Sequence, residues 1–459
     1  MITIHFNEDE KLYIQIYEHF VTEIKSNAIK AGEKLPSERS LKEHLKVSLN
    51  TVKNAYQQLL DEGYIVSKER SGYFVDKIDY KDFTEVSGEV PHSVPPSKPG
   101  YRYNFSYTGL DLEQAPHSIL KKCAQAGLET ALHINTPPKE GLYSLRLEIA
   151  KYLKERRGVI TSPDHIIITN GLSESFFIIS QLLNEKVYAI EDPGYTRVEE
   201  VLKILHKEVL NIPIDRYGFS VKDLEKTKAK LVVVSPNHQF PTGIMMGVRR
   251  RMRLLNWARE KQGRYIIEDD YNSDFKYQGK PIPALKSMDE SKTILLGSFS
   301  KIVGKFLSVS YLVLPSGLLE HAKDINPPFE VSLLQQCTLE QFMKNGDFER
   351  HLNRMNTHYR KKRSLLLAKV EQAEGIEILG SDAGLHLVIR MDKTLYTMEQ
   401  FDELMSKHGI YAEKVSAYSH RTCHDNEVIL GFGAIPLRDI EEGVACFLKA
   451  LRRSKIYYN

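Results

Sequence analysis

The residues best suited to chemistry stand together at positions 297–301, where the sequence reads Gly-Ser-Phe-Ser-Lys. A lysine amine attacks carbonyl compounds when burial lowers its pKa. Lys301 follows the short apolar run 293–296, which predicts a buried strand. Taken alone, Lys301 also fits an ordinary surface lysine. Whether it is a reactive lysine or a surface lysine depends on the residues that the fold brings near it.

An acidic turn offers a carboxylate and a phenol. Asp269 follows the apolar run 265–268, and Tyr271 comes two residues later. A carboxylate at the end of a buried strand is energetically costly unless a cation pairs with it. The sequence therefore predicts a cationic partner for Asp269.

Two further turns carry candidate binding residues. Residues 169–174 read Thr-Asn-Gly-Leu-Ser-Glu ahead of a predicted helix at 175–183. Glycine and serine at a helix start expose backbone N–H groups that suit a phosphate, although most such turns are merely structural. Residues 191–197 place an aromatic side chain, Tyr195, and a cation, Arg197, on one loop.

The elements that must position these turns are short strands. Apolar runs at 166–169, 187–190, 231–235, 265–268 and 293–296 alternate with helical patterns, which indicates βαβ units and a largely parallel sheet. Ligands of open α/β sheets bind outside the carboxyl ends of the strands. The four turns are therefore expected at one edge of the sheet. The basic run 249–253 is interpreted as the solvated face of a helix.

Composition narrows the class of protein. The chain has 459 residues, with 63 Lys and Arg against 60 Asp and Glu, a balance that does not by itself indicate nucleic-acid binding. No apolar run reaches the roughly 18–20 residues that span a bilayer, and the start does not resemble a signal peptide. Four isolated cysteines form no metal-ligand spacing and no disulfide framework. We expect a reduced, cytoplasmic protein without a metal.

A linker divides the chain. Residues 77–103 hold four of the 19 prolines and show almost no apolar periodicity, which is typical of an extended linker. The predicted domains are therefore a head at 1–76 and a body at 104–459.

The head shows the pattern of a winged helix-turn-helix. An amphipathic helix runs through Leu12 and Ile24, Ser37 and Ser48 can cap two further helices, and a hairpin turns at 70–72. The N-terminal face of such a second helix reads bases in the major groove. Residues 34–53 carry five Lys or Arg against two acidic residues. The candidate DNA-contacting residues are Lys34, Ser37, Arg39, Ser48, Asn50, Thr51, Lys53, Asn54, Arg70 and Gly72. The alternative is a three-helix interaction module with a solvated charged face.

Segments 34–39, 47–52, 60–64 and 72–75 of the head resemble the DNA-binding domain of GntR-family transcription regulators. Leu49 departs from that family, which usually has arginine there. The order of the four body turns resembles fold-type I, class I aminotransferases over about 104–450, with a large mostly parallel-sheet domain and a smaller C-terminal α+β domain. The whole chain is similar to MocR-type regulators, with the GABA-responsive type of bacilli nearest.

The resemblance implies roles for the body residues. Lys301 would carry pyridoxal 5'-phosphate as an internal aldimine, Asp269 would pair with the pyridinium nitrogen, and Tyr271 would bond the phenolic oxygen. Tyr195 would stack on the ring, and Arg197 would meet an effector carboxylate. The residues around the phosphate would be Gly171, Leu172, Ser173, Ser298 and Ser300. The resemblance also implies a double-stranded DNA operator, a small amino compound as effector and a head-to-tail homodimer.

Three departures concern arginines. Ser308 stands where the family's arginine grips the cofactor phosphate, and a hydroxyl does not replace a bidentate guanidinium. Ile429 and Ala434 stand where aminotransferases and the GABA-responsive type, respectively, bind a carboxylate. The leading hypothesis is a regulator without efficient transamination. The alternatives are a working aminotransferase with a DNA-binding head, and a regulator whose body has lost the cofactor.

Overall fold

The computed structural model describes residues 4, 6–7, 10–77, 100–277, 282–325, 330–420 and 424–452. It divides into two compact units, Met1–Pro96 and Ser97–Asn459. The predicted linker 77–103 lies mostly outside the described residues. No helix of the described ranges has the length and apolar composition needed to cross a membrane.

The head contains three helices and a hairpin. The helices are α1 (Leu12–Lys25), α2 (Glu38–Leu45) and α3 (Leu49–Asp61), and the antiparallel strands are β1 (Ile65–Lys68) and β2 (Gly72–Val75). The hydroxyls of Ser37 and Ser48 accept the N–H groups of Ser40 and Thr51 at 3.2 and 3.1 Å, which caps α2 and α3 as predicted. Lys46 adopts φ 55° between these helices and makes the tight turn.

The core of the head is small and largely aliphatic, with Phe20 and Tyr56 at its centre in edge-to-face contact. Ile16 and Ile24 of α1 and Val52 of α3 are buried with them. The periodic apolar stripes seen in the sequence therefore hold α1 against α3, which leaves the N-terminal end of α3 exposed at Asn50, Lys53 and Asn54.

The body begins with a large eight-stranded sheet. Its strands are β4 (Ile166–Thr169), β5 (Val187–Asp192), β6 (Glu208–Asp215), β7 (Gly218–Phe219), β8 (Leu231–Val234), β9 (Tyr265–Asp270), β10 (Thr293–Ser298) and β11 (Ser310–Val313); the short β3 (Tyr103–Asn104) precedes them. They lie in the order β4-β11-β10-β9-β8-β5-β6-β7. Six of the strands run in one direction, while β11 and β7 run against their neighbours. The predicted mostly parallel sheet is confirmed.

Helices cover both faces of this sheet. They are α4 (His117–Ala131), α5 (Tyr143–Arg157), α6 (Gly171–Leu183), α7 (Thr196–Ile204), α8 (Val221–Leu224), α9 (Val248–Glu260), α10 (Ser300–Val303), α11 (Leu319–Ala322) and α12 (Leu333–Lys344). Alternate residues of β4 belong to two different cores: Ile167 packs among side chains of α6 and α7, and Ile168 among those of α5 and α12. Near-continuous apolar strands are typical of a sheet that is buried on both sides.

A smaller antiparallel sheet in the order β12-β13-β16-β15 forms the C-terminal α+β part of the body. Its elements are α13 (Asp347–Glu371), β12 (Ile376–Leu379), β13 (His386–Met391), α14 (Phe401–Lys407), β14 (Ile410–Tyr411), β15 (Glu413–Lys414), β16 (Glu427–Gly431) and α15 (Ile440–Leu451). β14 pairs with β3, so the segment that opens the body is fixed to its C-terminal part.

Candidate functional site: an exposed helix end and a cavity

The exposed end of α3 is the candidate nucleic-acid interface. Asn50, Lys53 and Asn54 are exposed, and their side chains make no hydrogen bond within the described residues of the chain. An asparagine amide can bond adenine in the major groove, and a lysine can bond a phosphate. These three side chains are therefore available to a duplex.

The other DNA candidates of the head fall into two groups. Lys34, Arg39 and Arg70 are exposed cations. The second group has structural roles in the head and consists of Ser37, Ser48, Thr51 and Gly72. Both serine hydroxyls cap helices, and Thr51 is bonded to the Ser48 hydroxyl at 2.8 Å. Gly72 has φ +104°, in the left-handed region, which favours glycine at the tip of the hairpin.

The body contains a cavity of about 360 Å³ at the carboxyl ends of its parallel strands. The register of β10 on β9 places Leu296 beside Asp269, so that Lys301, three residues past β10, lies at the same edge. Eight of the ten predicted body residues line the cavity: Gly171, Leu172, Tyr195, Asp269, Tyr271, Ser298, Ser300 and Lys301.

The remaining two predicted residues do not line it. Ser173 is exposed on the first turn of α6, which begins at Gly171, four residues before the predicted start. The side chain of Arg197 is 51% exposed, and its guanidinium bonds Glu200 at 3.1 Å. Neither side chain contributes to the cavity wall, so the phosphate role of Ser173 and the effector role of Arg197 stay predictions.

Three consecutive acids at the end of β9 have three different surroundings. Glu268 accepts the backbone N–H groups of Leu285 and Lys286 at 2.7 and 2.8 Å. Asp270 forms a buried bidentate pair with Arg157 at 2.6 and 3.0 Å. Asp269 points to the other face because side chains alternate along a strand. It lines the cavity, with no hydrogen bond or ion pair from the described residues.

The carboxyl group of Asp269 is consequently hard to ionise. Burial, and the charges of Asp270 and Glu268 beside it, raise its pKa to about 7. A buried carboxylate without a partner is a strained arrangement that a cation entering the cavity would relieve. The cationic partner predicted for Asp269 is therefore not supplied by the described part of the chain.

The side chain of Lys301 also lines the cavity. Its amine donates to the backbone carbonyl of Tyr107 at 2.9 Å and lies 5.8 Å from the centre of the Tyr107 ring. Next to it the hydroxyls of Ser298 and Ser300 are 3.0 Å apart. At Gly171, φ is +83°, and an added Cβ would meet no atom within 4 Å, so the backbone there faces open space.

Tyr271 is held from behind by His238. The phenol oxygen and His238 Nδ1 are 3.2 Å apart. Burial lowers the pKa of His238 to about 4 and raises the pKa of Tyr271 well above its usual value. The pair is therefore a neutral imidazole and a protonated phenol at neutral pH, and it fixes the phenol at the edge of the cavity.

Sequence reasoning missed several residues of this site. Tyr107 lines the cavity, with its ring centre 4.5 Å from that of Phe240, yet it stands in no periodic pattern. Arg251, which the sequence placed on a solvated face, is 4% exposed and bonds the Asn237 side chain at 2.8 Å. That part of the prediction was wrong, because one arginine of the basic run faces inward and anchors the loop that carries Phe240.

The three positions without an arginine differ in their surroundings. Ser308 is exposed and lines the cavity. Ile429, 1% exposed, packs with Phe240 and other apolar side chains. Ala434 lies against Gly109, where an added Cβ would overlap the Ala434 methyl group.

Two family models match the chain. Residues 12–75 match the model of bacterial regulatory proteins of the gntR family, and residues 106–424 match aminotransferase class I and II. Among solved structures, an archaeal alanine:glyoxylate aminotransferase superposes with a TM-score of 0.70, with 24% identity, over 76% of this chain and 90% of that one. This likeness concerns the fold of the body.

Whole-length relatives combine the same two parts. The HTH-type transcriptional regulator YdeL of Bacillus subtilis is 35% identical over 95% of this chain and 96% of its own length. The probable rhizopine catabolism regulatory protein MocR of Rhizobium meliloti is 28% identical over 97% of this chain and 94% of its own. The chain therefore belongs to the MocR-type HTH transcriptional regulators, in which a GntR-family DNA-binding domain is joined to an aminotransferase class I and II domain.

Proposed function

We propose that this regulator binds pyridoxal 5'-phosphate at Lys301 and that a small amino compound entering the same cavity changes its affinity for an operator. The observation that carries the proposal is the buried Asp269 carboxylate, which lines the cavity and has no cationic partner in the described chain. A protonated pyridine nitrogen is a cation of the right shape for that position.

The other residues of the cavity fit the rest of such a molecule. When bound, the cofactor supplies an aldehyde carbon that condenses with primary amines. Lys301 offers an amine, Ser298 and Ser300 offer hydroxyl donors to phosphate oxygens, and Gly171 offers open backbone at the start of a 13-residue helix. Tyr195 offers an aromatic face, and Tyr271 a protonated phenol fixed by His238.

The cavity supports sensing better than turnover. An aminotransferase orients its substrate through fixed contacts, and a loosely held substrate reacts slowly. No arginine lines the described cavity, and Arg197 is bonded to Glu200 on the surface. We therefore propose a regulator with little transaminase activity.

We also propose a homodimer, in line with the head-to-tail assembly that the resemblance implies. Large apolar side chains are exposed on three helices of the body: Leu128 of α4, Tyr143 of α5 and Leu334 of α12. Of these, α4 and α12 pack directly on each other. Exposed apolar side chains on adjoining helices favour a protein partner.

The proposal is tested by titrating the cofactor into the full chain. Asp269→Asn is expected to weaken binding of pyridoxal 5'-phosphate by roughly 100-fold or more, because removing one member of a buried ion pair costs about 3–5 kcal/mol. Binding is measured by fluorescence titration, and the loaded protein is then tested on a duplex selected from a random DNA library. A wild-type chain that takes up no cofactor would contradict the proposal.

In the cofactor-free protein, the same substitution, Asp269→Asn, should stabilise the fold rather than weaken it. The carboxyl of Asp269 has a pKa of about 7 when folded, against an ordinary value of 3.8. Because the folded value is the higher, the stability of the wild type falls as the pH rises from about 4 to about 7, and Asp269→Asn avoids this loss. The Tm advantage of the variant should be larger at pH 8 than at pH 5. Glu200→Gln is the matched surface control and should change neither quantity.

The DNA-binding head is tested on the same duplex. Asn50→Ala is expected to cost about 1–3 kcal/mol and to relax the preference for one base pair, whereas Lys53→Ala should weaken binding to all sequences and reduce its salt dependence. Gln57→Ala, a substitution of a residue on the same helix that bonds Asp61 at 2.8 Å, is the control. Equal losses of sequence preference in all three variants, measured by fluorescence anisotropy, would contradict the assignment of α3.

A further inference from the structure

The cavity has two charged side chains among its described lining residues, and under the proposed function the cofactor binds both of them. Of the 15 residues that line it, one is a cation, Lys301, and one is an anion, Asp269. With the cofactor in place, the first meets the aldehyde and the second the ring nitrogen. A ligand that enters beside the cofactor therefore meets no remaining fixed charge among the described lining residues.

The wall that this ligand would meet is aromatic. The ring of Phe240 lies 4.5 Å from that of Tyr107 and 5.6 Å from that of Tyr195, centre to centre. Behind Phe240 lies an apolar cluster that includes Val388 and Ile429. A carboxylate placed against these side chains would lose its hydration without gaining a cation from the described lining residues, which is strongly unfavourable.

The same wall already accommodates a primary amine. Lys301 Nζ donates to the carbonyl oxygen of Tyr107 at 2.9 Å and lies 5.8 Å from the Tyr107 ring centre. A carbonyl acceptor beside an aromatic face is a recognised environment for ammonium groups. A ligand amine of similar size would find the same acceptor and the same face.

We propose that the effector is a primary amine with an apolar or aromatic body and no carboxylate. The inference rests on the proposed function, because it places the cofactor on Lys301 and Asp269. It departs from the expectation that Arg197 meets an effector carboxylate, since the guanidinium of Arg197 is bonded to Glu200 outside the cavity.

Matched pairs of ligands that differ by a single carboxylate test the inference. The pairs are 2-phenylethylamine with phenylalanine, 3-methylbutylamine with leucine, and propylamine with 4-aminobutyrate. Binding to the cofactor-loaded full chain is measured by calorimetry. We expect the amine of at least one pair to bind tenfold or more tighter than its acid, and Arg197→Ala to leave that ratio unchanged.

Three results would overturn the inference: acids that bind as tightly as their amines, a loaded protein that binds no amine, or a loss of the amine's binding in Arg197→Ala. Failure of the proposed function is distinguishable, because a chain that takes up no cofactor is identified by its mass and absorbance before any amine is added. A loaded chain that prefers the acids overturns this inference alone.

Discussion

Lys301→Ala should abolish covalent retention of pyridoxal 5'-phosphate. After borohydride reduction, the wild-type chain should carry one cofactor, seen as added mass, and the variant none. The reason is that Lys301 supplies the single amine among the lining residues of the described cavity. Visible absorbance of the loaded protein should disappear together with the added mass.

A second variant, Lys301→Arg, separates the effect of losing the condensing amine from the effect of losing the positive charge. Lys301→Arg keeps a cation in the cavity but has no amine that condenses with an aldehyde at neutral pH. It should lose the added mass as completely as Lys301→Ala while unfolding at a temperature close to that of the wild type. Persistence of the added mass in either variant would show that another amine holds the cofactor.

Arg157→Met should destabilise the body by about 3–5 kcal/mol, because it leaves a buried carboxylate without its partner. The side chains of Arg157 and Asp270 are 1% and 2% exposed and share two hydrogen bonds. The free energy of unfolding is measured in urea. A further effect is expected on cofactor affinity, because Asp270 is the immediate neighbour of Asp269 on β9.

Two controls define that result. Arg253→Met removes a pair with Glu225 whose side chains are 50% and 40% exposed, and it should cost less than about 1 kcal/mol. The double variant Arg157→Met with Asp270→Asn should recover part of the stability, because no buried charge is then left alone. If Arg157→Met cost no more than Arg253→Met, the buried pair would not be essential to the body.

Much of this arrangement follows from the sequence by simple physical rules. Ser37 and Ser48 were identifiable as helix caps because their hydroxyls precede amphipathic stretches. Asp269 and Lys301 were expected near each other because the carboxyl ends of parallel strands meet at one edge of a sheet. These inferences use local patterns together with a single topological rule.

What the sequence could not predict depends on contacts between distant segments. Tyr107 belongs to the segment that opens the body, and nothing in its neighbourhood indicates that its carbonyl would accept Lys301 Nζ from 194 positions away. Arg157 ends a helix, a position where a solvated arginine is the usual expectation, yet it is buried against Asp270. Only the packing of α5 on the sheet determines that partner.

The contact between Gly109 and Ala434 limits how this protein could evolve. A Cβ added at position 109 would overlap the Cβ of Ala434, so the two segments pack closely there, and Gly109 is adjacent in sequence to the cavity residues Thr108 and Leu110. An arginine at position 429 would place a charged guanidinium in an apolar cluster, where Ile429 is now buried. Acquiring a carboxylate-binding arginine at position 429 or 434 would therefore require accompanying changes in the segments that pack against these positions.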